Sequence, residues 1–384
     1  MSEIDTKKIT DRAGTGAPSF TYGLNITGAD SGLIGKAITA SGSEPSSPAN
    51  GDLWYDSTND KFYYYAAGAF KQLTHSNAAA PENAWSGSRG LIGGGEASNN
   101  GTSVNVITYI DISSAGDATD FGDLTVTREN FGALSNQTRG VFAGGQSDGS
   151  RQTVMDYVTI STIGNATDFG DLQQSKQGTS AASNGTIGII AGGRGSGSYP
   201  NYFKDEIDKI TVATTGNATD FGNLVGGNQM TTAFSDSTRG VIAGGYSLAA
   251  AGDTVMQYIT FDTTGNTTDF GDLTVGRYGL GSCSDATRGL IAGGAGASSN
   301  GENIIDYVTT QTTANATDFG DLTQERETSG MANSTYGVFV SGRKASTYYN
   351  VLDYVTIQTA GNAADFGDNT ATYAYVATCS GAAS

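Results

Sequence analysis

The feature that most constrains this chain is a repeat. The stretch Asn165-Ala166-Thr167-Asp168-Phe169-Gly170-Asp171-Leu172 recurs with small changes, and its Asp-Phe pair falls at Asp120, Asp168, Asp220, Asp269, Asp318 and Asp365. Successive spacings are 48, 52, 49, 49 and 47 residues. A second signature keeps step with it, an apolar run ending in two glycines. It closes at Gly95, Gly145, Gly193, Gly245 and Gly294, and in altered form at Ser341 and Gly342. Six copies of both signatures in one phase describe one supersecondary unit used over and over. Such a unit cannot bury its apolar face alone, so neighbouring copies must stack.

The unit reads as four short strands. Around Gly144 and Gly145 these are Phe131 to Ser135, Gly140 to Ala143, Met155 to Ile160, and a turn with a fourth strand over Asn165 to Leu172. Small and β-branched or aromatic residues between turn signals favour strands. No helical period is sustained anywhere, so the expectation is an all-β chain. Glycine is abundant at 56 residues but proline contributes only 5 of 384, which argues for folded repeats rather than low complexity. Periods near 50 belong to propellers and arrays.

A small strand, an apolar strand ending in two glycines, a tyrosine-bearing strand and an outer aromatic strand together resemble the kelch repeat. Phe121, Phe169, Phe221, Phe270, Phe319 and Phe366 stand where kelch repeats usually carry tryptophan. The basic residue that kelch repeats place before the innermost strand is matched by Arg128, Lys176, Arg277 and Arg326, and replaced by Asn228 and Tyr373. The resemblance covers 85–384 and implies a six-bladed kelch-like β-propeller. The first unit lacks an innermost strand, and the chain ends with a spare one, Thr372 to Cys379. The C-terminal strand is therefore expected to complete the first blade and close the ring, which removes free sheet edges.

Residues 1–84 carry no repeat. Residues 1–40 read as an extended docking segment. Residues 41–84 read as a Ser- and Pro-containing linker followed by a small meander, with strands at Leu53 to Asp56, Lys61 to Tyr65 and Ala69 to Leu73. Gly51 to Tyr65, with Pro45 and Pro48 before it, resembles a segment common in fibre and appendage proteins of tailed bacteriophages. Arg12 to Phe20 resembles N-terminal segments of the same group, which makes Arg12, Pro18 and Phe20 candidates for virion anchoring.

The net charge of −18 repels nucleic-acid phosphates, so no nucleic-acid partner is expected. No apolar run reaches the length of a membrane span, and the N-terminus shows no apolar signal region. Cys283 and Cys379 are too few for a disulfide framework. Each lies 14 residues after its repeat's Asp, where other repeats hold Leu134, Ala182, Phe234 and Ala332, so buried reduced thiols are expected. The single histidine, His75, lies outside the repeats and reads as a linker residue. Histidine-based metal catalysis and nucleophilic triads are thereby excluded from the repeat region. The carboxylate pairs recur in one slot of every unit, which argues against a unique acid/base pair. No cofactor is expected. Calcium is the one metal carried as an alternative, on oxygens from Asn165, Asp168 and Asp171, although their spacing does not match an EF-hand.

Ligand contacts are expected where the units differ most, in the loops between second and third strands. Tyr199, Tyr202, Phe203, Tyr246, Tyr348 and Tyr349 are the candidates, as flat faces for sugars or partner surfaces or as plain cover for the strand ends. The combined reading is a non-enzymatic phage fibre or appendage protein. It would be assembled in the host cytoplasm, anchored to other virion proteins by its N-terminus, expected as a homo-oligomer, and directed at a host-surface glycan or protein. The alternatives are a decoration or adaptor protein making only protein contacts, and a glycan lyase or hydrolase.

Overall fold

The computed structural model describes residues 38–50, 52–58, 61–66, 68–72, 83–84, 86–97, 101–198, 200–297 and 300–383. These residues are all-β, with no helix among them and so none able to cross a membrane. His75, Tyr199, Arg12, Pro18 and Phe20 lie outside the described residues. The chain divides into two compact units, Met1–Ala79 and Ala80–Ser384.

In the first unit the three expected strands form an antiparallel meander of Leu53–Asp56, Lys61–Ala66 and Ala69–Gln72. A fourth strand, Ile38–Ser41, pairs in parallel with Leu53–Asp56, a partner the sequence reading did not assign. Trp54 is buried, stacked 4.8 Å from Tyr63 and edge-on to Phe70 at 5.3 Å. Its indole N–H donates to Ser41 Oγ at 3.0 Å, which satisfies the one polar atom such burial would strand.

The described residues of the second unit form six four-stranded antiparallel sheets. One runs Gly132–Ser135, Arg139–Ala143, Val154–Thr159 and Thr167–Asp171, close to the strands read from the sequence. In another the order is Ala377–Gly381, Arg89–Gly93, Val106–Asp111 and Thr119–Asp123, so the last strand of the chain supplies the inner edge of the first sheet. The inner strand Gly132–Ser135 touches Ser180–Ser183, and contact passes on to Thr232–Ser235, Gly281–Ser284, Glu327–Ala332 and Ala377–Gly381. Ala377–Gly381 in turn touches Gly132–Ser135.

The recurrent Asn-Ala-Thr-Asp-Phe-Gly-Asp motif is a seam between sheets rather than a local turn. Asn165 Oδ1 accepts the amide of Asp123 at 3.1 Å, from the preceding sheet, and Asn217 accepts that of Asp171 at 3.0 Å. Asn266, Asn315 and Asn362 repeat the contact, and Asp117 Oδ1 accepts the amide of Asp368 at 3.0 Å. The glycine of the motif lies against the neighbouring backbone. A Cβ on Gly122 would stand 2.5 Å from Gly164 O, so only glycine permits the approach. The phenylalanine then fills the space between sheets: Phe169 packs with Ile210 and Val212 of the next one. Burying a ring this way stabilises by about 2 to 3 kcal/mol.

The basic residue before each inner strand has a buried partner on the third strand. Arg128 meets Asp156 at 2.5 Å, Lys176 meets Asp208 at 2.9 Å, Arg277 meets Asp306 at 2.6 Å and Arg326 meets Asp353 at 2.8 Å. A register shift immediately before each of these aspartates turns it toward its partner. Arg128 and Arg277 also donate to Gly144 O and Gly293 O, the first glycines of the pairs. Where the base is absent, the acid is absent too. Asn228 is matched by Gln257 on the third strand, and Tyr373 by Thr108. Asn228 still donates to the glycine carbonyl, Gly244 O, at 3.0 Å. An unpaired charge in this dry slot would cost several kcal/mol, so the two ions are present or absent as a pair.

A series of serines links the inner strands. Ser380 Oγ donates to Ala332 O, Ser135 to Ser380 O, Ser183 to Ser135 O, Ser235 to Ser183 O and Ser284 to Ser235 O. The sixth slot is Ala332, paired with Gly337 as Ser135 is with Gly140. This corrects the sequence alignment of that repeat. Met331, not Ala332, is the counterpart of Cys283 and Cys379, because the repeat is one residue short. Both cysteines are free and buried as expected, and burial pushes the Cys379 thiol up to about 12 and that of Cys283 higher than usual as well.

Candidate functional site

The missing residue can be located. After the basic residue the six repeats read Arg128-Glu-Asn130-Phe, Lys176-Gln-Gly178-Thr, Asn228-Gln-Met230-Thr, Arg277-Tyr-Gly279-Leu, Arg326-Glu327-Thr328 and Tyr373-Ala-Tyr375-Val. Asn130, Gly178, Met230, Gly279 and Tyr375 all have positive φ, between 55° and 67°. Gly178 N donates to Asn130 O, Met230 N to Gly178 O, Gly279 N to Met230 O, and Asn130 N to Tyr375 O. These turns line one mouth of a cavity of about 110 Å³ bordered by the inner strands. In the Arg326 repeat the left-handed residue is deleted, and Thr328 N reaches Gly279 O directly at 3.2 Å.

Glu327 and Tyr375 stand at that mouth, with further polar side chains beside them. Glu327, which lines the cavity, lies 3.5 Å from Arg343 Nε. Arg343 stands on an extended hairpin, Tyr336–Lys344 with Thr347–Thr356, that reaches past the strand ends of the other sheets. The arginine covers the Tyr375 ring at 4.5 Å. Tyr348 sits between Arg343 and Glu96. Glu129, buried, accepts from Gln146 Nε2 and completes the group from the next repeat. Desolvation pushes the Glu327 carboxyl up to about 7, against the pull of Arg343. Burial raises Glu129 as well, and raises Tyr375 with help from Glu327.

A 3.5 Å separation is an ionic contact and too long for a hydrogen bond. Glu327 Oε2, Arg343 Nε and Glu129 Oε2 are buried atoms with no hydrogen-bond partner among the described residues. Glu327 Oε2 and Arg343 Nε are held to each other as an ion pair, and Glu129, within reach of the Arg343 charge, keeps one buried acceptor unsatisfied.

The loop aromatics divide. Tyr202 and Phe203 lie 4.5 Å apart, Phe203 stacks on Tyr246 at 6.0 Å, and Tyr246 meets Tyr278 edge-on at 5.6 Å. Arg194 lies over Tyr202 at 4.4 Å. Phe203 is buried in this row, whereas Tyr202, Tyr246 and Tyr278 are half-buried. Tyr278 feels the charge of Glu327, so the row ends at the polar cluster. Tyr348 belongs to the cluster itself. Tyr349 faces away from it, with Lys344, Asn303, Thr323, Gln324 and Glu325. Sequence reasoning missed Glu327, Arg343, Tyr375, Tyr278, Glu96 and Glu129. The signal was present in the short repeat and in Ser341 replacing the first glycine of its pair.

Two of the three residues considered for calcium have an oxygen already engaged, Asn165 across the seam and Asp171 within its own repeat. Asn165 Oδ1 accepts the Asp123 amide, and Asp171 Oδ1 accepts from Thr153 Oγ1 at 2.7 Å. Among the described residues no three His, Cys, Asp or Glu side chains are grouped to hold a metal. No protein-family model matches the chain, and a search of curated proteins gives no match.

Proposed function

We propose that the chain is a structural appendage of a tailed bacteriophage, of the tail- or neck-fibre kind, whose repeat region is a closed six-bladed kelch-like β-propeller directed at the host surface. The ring reading is supported by the unbroken succession of inner-strand contacts and by the return bond from Asp368 to Asp117. The C-terminal strand at the inner edge of the first sheet supports closure, since it joins the end of the repeat region to its beginning in one sheet.

The observation that carries the functional reading is the division of the chain. The phage-like segment around Trp54 forms its own small sheet in one compact unit, and the repeats form another. Anchoring belongs to the first unit, through contacts with other virion proteins, and host recognition to the rim of the second. No catalytic role is assigned to the chain, and copies are expected to assemble as a homo-oligomer on the virion.

Deleting residues 1–37, which spares the strand Ile38–Ser41, tests the anchor. Loss of incorporation into particles with an unchanged melt of the repeats supports the assignment, and normal incorporation overturns it. Adsorption of the full chain to host cells tests recognition; its absence favours the adaptor role instead.

A further inference from the structure

We infer that the mouth formed by Glu327, Arg343, Tyr375 and Glu129, with Tyr278 and Tyr246 beside it, is a binding site for one uncharged pyranose unit of a glycan. The inference rests on the host-recognition reading and names the ligand class and the place.

The chemistry of the open atoms selects the ligand. Arg343 Nε is a donor and Glu327 Oε2 an acceptor, held to each other only as a loose ion pair at 3.5 Å, and Glu129 Oε2 is a buried acceptor without a hydrogen-bond partner among the described residues. The Glu327 side chain is only 9% exposed and lines the cavity. A cation would satisfy the carboxylates and be repelled by Arg343, while an anion would do the reverse. A sugar hydroxyl donates and accepts at once, so a polyol meets both needs without burying a new charge. The cavity of about 110 Å³ suits the size, since a water requires about 10 to 15 Å³ of such space.

The surroundings fit the other character of a pyranose, its apolar C–H face. Tyr278 and Tyr246 form a half-buried aromatic edge running up to Glu327. Aromatic surface next to a few convergent polar groups is the usual make-up of a small-molecule site. Symmetry gives an independent argument. The slot after the basic residue holds Gln177, Gln229 and Ala374 in three other repeats, and only the Arg326 repeat lacks the left-handed residue that follows. Among the described residues the combination therefore occurs once.

The test is ligand-observed saturation-transfer NMR on the full chain, with the methyl glycosides of glucose, galactose, mannose and N-acetylglucosamine. Binding of at least one glycoside, weakened about tenfold in Glu327→Gln and in Arg343→Ala, is expected from loss of a charged hydrogen bond. Arg343 is half-exposed, so its variant keeps the test alive should Glu327→Gln alter folding, which the thermal melt reports. Two results overturn the inference: no glycoside binding by a chain that still adsorbs to host cells, or binding unaffected by both substitutions. The first leaves the proposed function standing. Glycoside binding that is lost in both variants, by a chain that does not adsorb to cells, supports the site and sinks host attachment.

Discussion

The sheets beginning at Gly132 and at Glu327 are built from the same repeat and differ by one residue. In the first, Asn130 takes a left-handed turn, Glu129 bonds to Gln146, and the glycine pair closes the second strand. In the other the turn residue is gone, the second and third strands run on into a long hairpin, and a carboxylate lining the cavity is ion-paired to an arginine of that hairpin. The buried ion pair is the same in both, Arg128 with Asp156 and Arg326 with Asp353. The difference teaches that the repeat separates what holds the sheets from what can vary. Ion pair, seam and outer phenylalanine are retained while the rim is free to change.

The largest effect should come from breaking what the two sheets share. Asp306→Ala leaves Arg277 buried with no counter-charge and is expected to destabilise by about 3 to 5 kcal/mol in chemical denaturation. The double variant Arg277→Asn with Asp306→Gln copies the combination found at Asn228 and Gln257 and should recover most of that loss. A double variant as unstable as the single one would show that the pair is not a replaceable unit.

A smaller effect separates the irregular rim from the rest. Glu327 titrates near 7 in the folded chain, above the ordinary carboxylate value of 4.5. The fold thus favours its protonated form. Its contribution is most favourable below the unfolded value and is lost as the pH rises from 4.5 through 7. Arg343 opposes the shift, while Glu96 and Tyr375 surround the same carboxyl. Glu327→Gln should flatten this part of the stability profile, with a gain on the order of 1 to 3 kcal/mol above neutrality. Equal pH dependence in the variant and the parent would remove Glu327 as the source.

The smallest effect concerns Ala332, where the serine series lacks its hydroxyl. Ala332→Ser supplies a hydroxyl to Ser284 O and should stabilise by about 0.5 to 1.5 kcal/mol, read from the denaturation midpoint. A destabilised variant would mean that the slot has no room for the oxygen.

Much of the fold was legible because repetition averages out local ambiguity. Six copies fixed the strand order, the glycine pairs and the spare C-terminal strand. The aspartates were not legible as ion-pair partners, because Asp156 lies 28 residues from Arg128 and is aimed by a bulge that leaves no mark on composition. Asn165 was read as a local turn former because its acceptor role is filled by an amide 42 residues away, in the neighbouring sheet. The candidate site was least legible of all. It depends on a deletion, and a deletion shows only when the repeats are aligned strand by strand. Counting forward from Asp318 placed Ala332 where Met331 belongs, which hid the change of phase.

One insertion tests the central claim, that the repeat holds the fold and that the residue missing after Glu327 makes the site. A glycine placed between Glu327 and Thr328 restores the left-handed position found at Gly178 and Gly279. The account predicts a cooperative melt close to that of the parent chain, with glycoside binding abolished. An insertion variant that melts normally and still binds glycoside would contradict it.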